Sequence, residues 1–204
     1  MFIVLEGPDG SGKSTQTRLL VEHLSSIGRT AVQTREPGGT PAAEAIRALV
    51  LNPELSGLDD RTEALLFAAA RAEHVARVIR PALQRGEVVV CDRYIDSSIA
   101  YQGVGRSLGI DRIRELSLWA TTDLLPDLTI VLDLDAAEGM SRVGERDRLE
   151  LEPQEYHDRV RRAFVELAIH DPERYRVVSA VGSVQEVAKR IRIAVDEFIA
   201  GKPA

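Results

Sequence analysis

The chain alternates short unbroken apolar runs with longer amphipathic stretches. Residues 2–6 (FIVLE), 88–92 (VVVCD) and 128–134 (LTIVLDL) are such runs. Short and rich in β-branched residues, they predict strands buried on both faces. Residues 30–34 (TAVQT) and 175–180 (YRVVSA) add two more strands. Helices are expected over residues 13–27, closed by Gly28, over 41–51 and over 60–80. Asp60 takes the N-cap of the third with Glu63 at capping-box spacing; Pro81 should disturb that helix and Gly86 close it. Residues 111–122 read as helix, as does the charged stretch 153–170. In a last helix over 183–200, apolar residues 184, 187, 188, 191, 195 and 198 follow i, i+3, i+4, i+7 spacing. With no repeat and no linker, the pattern predicts one α/β domain over 1–204, its parallel sheet joined by right-handed crossovers.

Composition narrows the class. At 204 residues, 44% of them hydrophobic, the chain can bury one sizeable core. A net charge of −6 argues against a nucleic-acid partner, because proteins that grip phosphate backbones are usually basic over one face. A small phosphorylated molecule needs only a local cluster of Arg and Lys. Cys91 is the only cysteine, so no intramolecular disulfide is possible, and its place inside an apolar run marks it as core. No apolar run approaches the ~20 residues of a membrane span, and the opening MFIVLEG lacks a signal-peptide layout. A cytoplasmic protein is the expectation.

The stretch EGPDGSGKST (6–15) supplies the first chemistry. Gly7, Gly12, Lys13 and Ser14 satisfy G-x-x-x-x-G-K-[ST], directly after a strand and before a helix. In such a loop Gly7, Pro8, Asp9, Gly10, Ser11 and Gly12 wrap the phosphates with backbone N–H groups, and the helix dipole beginning near Lys13, Ser14 and Thr15 adds positive potential. Lys13 should bridge the β- and γ-phosphates, and the Ser14 hydroxyl should ligate Mg²⁺. ATP and Mg²⁺ are the expected cofactors. Asp92, ending an apolar strand where ligands of doubly wound sheets sit, could hold magnesium through water. Arg93 beside it suits a phosphate acceptor, which its guanidinium fork grips bidentately.

The reaction class follows from what accompanies the loop. A GTPase would need a guanine-reading N-K-x-D, which the chain lacks. A kinase for a small phosphorylated acceptor fits the second arginine set. A kinase for another nucleotide or a nucleoside, and a non-catalytic nucleotide-binding regulator, are the alternatives.

The combination of REPGGT (35–40), LLFAAARAEHV (65–75), DRYIDSSIAYQG (92–103), PDLTIVLDL (126–134) and ERDRLE (145–150) resembles the thymidylate kinases, from residue 2 to about residue 180. The resemblance implies a five-stranded, nucleoside-monophosphate-kinase-like P-loop fold, transfer of the ATP γ-phosphoryl group to dTMP, and a homodimer. It assigns Asp9 to the 3′-hydroxyl of dTMP, and Arg35 and Arg93 to its phosphate. Phe67 would stack on the thymine, with Arg71 one helical turn on at its carbonyl edge. Ser98 and Gln102 would lie near the base and Tyr101 against the sugar. Some members place a charge-neutralising arginine inside the P-loop. This loop has none, so the resemblance turns to a lid at about 141–152, with Arg146 or Arg148 favoured over Arg142. Glu166 matches a family glutamate near magnesium. One departure stands out: many members carry an acidic residue just before the arginine of the base pocket, where this chain has Ala70.

Overall fold

The structure, a computed structural model, describes residues 1–201; the last three residues of the expected domain span lie outside them. In chain order the elements are β1 (Phe2–Glu6), α1 (Lys13–Ser26), β2 (Ala31–Arg35), α2 (Pro41–Val50), α3 (Asp60–His74), α4 (Arg80–Gln84), β3 (Val88–Asp92) and α5 (Ile95–Ser98). They continue with α6 (Ile110–Thr121), β4 (Leu128–Asp133), α7 (Ala136–Arg142), α8 (Gln154–His170), β5 (Tyr175–Ser179) and α9 (Val184–Gly201). The strands form one sheet in the order β2-β3-β1-β4-β5, every adjacent pair parallel. The chain leaves β1 toward β2 on one side and later crosses to β4 on the other. A crevice therefore opens at the carboxyl end of β1, where ligands of such sheets bind.

The alternation of side chains along the central strands explains why those strands are unbroken apolar runs. Ile3, Leu5, Val88, Val90, Leu128, Ile130 and Leu132 face Leu20 and Leu24 of α1 and Val187, Ile191 and Val195 of α9. Phe2, Val4, Val89 and Cys91 point to the other layer, with Ala64, Val75, Ile79 and Ile113. Each such aliphatic side chain contributes ~1.5–3 kcal/mol on burial. A third cluster, around Tyr101, Tyr156, Val160 and Phe164, seats α8. The stripe on α9 holds at Val187, Ala188, Ile191 and Val195, whereas Val184 is half exposed because it starts the helix beyond the sheet edge.

One helical expectation holds and one is corrected. Pro81 disturbs the third helix without ending it, and the helix closes before Gly86. A widened π-type turn at Val75–Ile79 carries α3 into α4, and Pro81 falls in the first turn of α4. The wider spacing spares the clash and the missing N–H of a proline within a regular helix. The N-cap of α3 is Asp59, whose carboxylate accepts from the N–H groups of Arg61 and Thr62 at 3.0 and 3.1 Å. Glu63 takes no part in capping and is fully buried. Asp59→Ala is expected to cost about 1 kcal/mol, a fall of about 2–4 °C in Tm by calorimetry.

Candidate active site

One cavity of about 420 Å³ lies over the carboxyl end of the sheet, within the range typical of ligand sites. Asp9, Gly10, Gly12, Lys13, Ser14 and Thr15 form one wall. Gly7, Pro8 and Ser11 stand behind it. Lys13 Nζ donates to the carbonyls of Gly7 and Pro8 at 3.0 and 2.7 Å and to Ser11 Oγ at 3.4 Å. Burial and the Arg93 guanidinium push the Lys13 ammonium down to about 8, against the pull of Asp9, Asp92 and Glu6.

That displacement has a sign that can be measured. A bound triphosphate favours the charged ammonium, so above pH about 8 ATP binding must take up a proton. Affinity should then weaken by up to about tenfold per pH unit, whereas below that pH Lys13 contributes no such slope. Calorimetry in buffers of different ionisation enthalpy is expected to find close to one proton taken up at about pH 9 and a small fraction at about pH 7. Equal uptake at both would remove this account of Lys13.

Ser14 and Asp92 meet beside the lysine, the Ser14 hydroxyl donating to Asp92 Oδ2 at 2.6 Å. A hydroxyl and a carboxylate converging at the cavity wall fit Mg²⁺, a hard ion held by few protein oxygens plus phosphates and waters. Arg93 has a left-handed backbone, φ 70°, which turns its side chain over the loop. Its guanidinium donates to Gly7 O at 3.3 Å, Ser97 Oγ at 3.1 Å and Tyr101 Oη at 3.2 Å, and pairs with Asp9. Tyr101 Oη in turn donates to Asp9 Oδ2 at 2.7 Å. Burial alone would raise the Asp9 carboxyl, but Arg93, Lys13 and the Tyr101 hydrogen bond outweigh it and hold it below the usual range. The acid beside the phosphate loop is therefore neutralised by the chain itself.

Phe67, Arg71, Ser98 and Gln102 line the far side of the cavity. Arg71 is buried and donates to Glu36 Oε2 at 2.7 Å, Ser98 Oγ at 2.9 Å, Tyr94 O at 3.1 Å and Ser117 Oγ at 3.2 Å. Four of the five N–H donors of a guanidinium are thus occupied, leaving one. Glu36 supplies from REPGGT the acidic support that Ala70 cannot. It also accepts from or contacts His74 Nδ1 at 3.0 Å, tying the loop to α3. Arg35 lines the cavity and is held by Glu44 at 3.0 and 2.9 Å.

The lid arginines depart from expectation. Arg148 does not face the phosphates. It is buried, donating from Nη2 to Glu63 Oε2 at 2.7 Å and from Nε to Val50 O at 2.9 Å. A carboxylate 85 residues away in sequence captures it, which no local pattern announces. Arg146 is exposed and outside the cavity wall, whereas Arg142, the less favoured of the three, lines it and pairs with Glu138 at 2.5 Å. Glu166 lies in a separate groove with Asp133 and Asp158, away from the P-loop, because its place on α8 turns it outward.

Several cavity residues escape the sequence reading, among them Glu36, Arg47, Asp147, Leu149 and Glu150. Asp147 Oδ1 accepts from the Glu150 N–H at 3.0 Å, and Glu150 Oε2 accepts from the Asp147 N–H at 2.9 Å. This reciprocal box is legible as D-x-x-E in ERDRLE, beside the arginines of that stretch. Burial raises both carboxyls.

Comparison with known proteins identifies the family of the chain. The thymidylate kinase family profile matches residues 5–191. A thymidylate kinase of Leifsonia xyli subsp. xyli is 54% identical over 200 residues, covering 96% of this chain and 94% of that one. One of Symbiobacterium thermophilum is 51% identical, covering 98% and 94%. The crystal structure of thymidylate kinase from Ehrlichia chaffeensis superposes with a TM-score of 0.81 at 36% identity, covering 96% of this chain and 98% of that one. With a parallel five-stranded sheet, a P-loop and a matching length of chain, the protein belongs to the thymidylate kinase family.

Proposed function

We propose that the protein transfers the γ-phosphoryl group of ATP to the 5′-phosphate of dTMP, giving dTDP and ADP. One observation carries the reading: the P-loop, Arg93 and the Phe67–Arg71 pair open into a single cavity, so donor phosphates and a base-bearing acceptor can meet there. Lys13 exchanges its loop carbonyls for the β- and γ-phosphates. Arg93 and Arg35 hold the acceptor phosphate, with Arg142 as the lid cation nearest the transfer. Phe67 stacks on thymine, and the remaining N–H of Arg71 meets a base carbonyl. Asp9 keeps lone pairs beyond those used by Arg93 and Tyr101, enough to accept from the 3′-hydroxyl. Tyr101, packed across Arg93, closes the sugar side.

Ser14 and Asp92 would hold Mg²⁺, which when bound neutralises charge on the β- and γ-oxygens. Transfer is in line, and the acceptor phosphate is already ionised near neutral pH, so no general base is needed.

A coupled ADP-release assay offering dTMP, dUMP, dCMP, AMP, GMP and thymidine tests the reading. Strong turnover with dTMP, weaker with dUMP and negligible with the rest is expected. Preference for another nucleotide would overturn the roles of Phe67 and Arg71, and ATP binding without turnover would favour a regulator. A homodimer fits the exposed Trp119 of α6 (82%) and Leu65 of α3 (58%), since the two helices pack together. Among the described residues no helix is long and apolar enough to cross a membrane. Chemistry on free nucleotides suits the cytoplasm.

A further inference from the structure

Glu63 has no exposed surface and is not part of the cavity wall, yet its two carboxylate oxygens reach both halves of the site. Oε1 accepts from Gln102 Nε2 at 2.8 Å, and Gln102 lines the base side of the cavity. Oε2 accepts from Arg148 Nη2 at 2.7 Å, and the neighbours of Arg148, Asp147 and Leu149, line the cavity from the lid segment. Arg106 completes the cluster. It donates to Glu63 Oε2 at 3.1 Å, pairs with Glu152 at 2.6 Å and lies 3.4 Å from Asp60.

Arg148 transmits this contact to the backbone around it. Its Nε donates to Val50 O at 2.9 Å and its own N–H to Leu51 O at 3.1 Å. Segment 146–150 is thereby pinned to the end of α2 by one side chain whose only anionic partner among the described residues is Glu63. Charge-assisted bonds to a fully enclosed carboxylate are strong, and each responds to what its fellow donors do. When Gln102 turns toward a bound base, Oε1 loses a neutral donor and the carboxylate leans harder on its arginines. When the lid segment is drawn in, Arg148 sets the carboxylate that orients Gln102.

We propose that Glu63 is a positioning residue that couples the two substrate sites, so that nucleotide on one side favours nucleotide on the other through Gln102, Glu63 and Arg148. The proposal rests on the reading of the cavity as a dTMP and ATP site, and it adds a route between them. Reciprocity is required: whatever ATP does for dTMP, dTMP does for ATP by the same factor.

The test is a ratio. Calorimetry measures dTMP binding to the protein alone and to protein saturated with Mg²⁺ and a non-hydrolysable ATP analogue. The native chain is expected to bind dTMP at least about fivefold more tightly when loaded. Glu63→Gln keeps the volume and removes the charge, and should bring the ratio to about one, with binding to the unloaded protein changed less than about threefold. A purely structural lesion would lower Tm and both affinities while preserving the ratio. A native ratio near one, or an undiminished ratio in Glu63→Gln, overturns the coupling. Should Glu63→Gln fail to fold, Arg148→Met cuts the chain at its other end, with the same expected collapse and the same overturning result. Turnover of dTMP with a ratio near one would remove the coupling alone. Failure of dTMP to bind the native chain would remove the substrate reading as well.

Discussion

Replacing Arg93 by methionine is expected to lower kcat/KM for dTMP by about three orders of magnitude, the usual worth of an arginine that stabilises charge in phosphoryl transfer. Two losses combine. The guanidinium proposed to hold the acceptor phosphate disappears, and Asp9 loses its ion-pair partner. A carboxylate left with only Lys13 and the Tyr101 hydroxyl to offset it would then stand in the wall beside the phosphate loop. Part of the defect in ATP affinity should therefore return in Arg93→Met combined with Asp9→Asn, a non-additivity expected of groups in direct contact. Arg93→Lys keeps the charge but not the fork that reaches Gly7, Ser97 and Tyr101 together, and should lose about a hundredfold. Steady-state kinetics with dTMP as varied substrate decides this; activity of Arg93→Met within tenfold of native would sink the assignment.

Gly139→Ala should be the next most damaging change, although the residue lies in α7, outside every nucleotide motif. A Cβ built on Gly139 would lie 2.3 Å from the carbonyl oxygen of Asp9, and one on Gly10 would lie 1.9 Å from the carbonyl oxygen of Gly139. The phosphate loop and this helix touch backbone to backbone, with no flexible side chain between them to give way. Alanine ordinarily favours a helix over glycine by ~1 kcal/mol. Here that gain is overridden, because the loop must retreat by about an ångström, and misplacement of that size costs ~10²-fold. Loss of about a hundredfold in kcat/KM for ATP, with a lowered Tm, is expected. A raised Tm with intact ATP kinetics would show that the contact relaxes freely.

The same contact marks the boundary of what the sequence makes legible. Strands buried on both faces write themselves as apolar runs, so β1, β3 and β4 could be placed within a residue. The phosphate loop is equally local: its glycines, lysine and serine are adjacent in the chain. Partnerships across the fold leave no such trace. Nothing in the charged run around Arg148 tells which arginine turns inward, because the deciding carboxylate belongs to α3. Glu63 reads as a capping residue for the complementary reason: its spacing from Asp60 is correct, while its partners arrive from two later segments. The support of Arg71 by Glu36 and the contact of Gly139 with the P-loop are hidden in the same way. A glycine in mid-helix was nonetheless a usable signal, since it costs stability unless something must come close.

Cys91 has a practical consequence of its position. It is wholly enclosed in the middle of the sheet, and burial, with Glu36, Asp92 and Glu6 nearby, pushes its thiol well above the usual range. An alkylating reagent can reach it only when β3 comes away from its neighbours. The rate of labelling thus becomes a clock for the rare opening of the whole sheet, read at one natural sulfur without any engineered probe. Nucleotide at about a hundred times its Kd should slow that clock roughly a hundredfold, so occupancy could be followed by mass alone, before any product is formed.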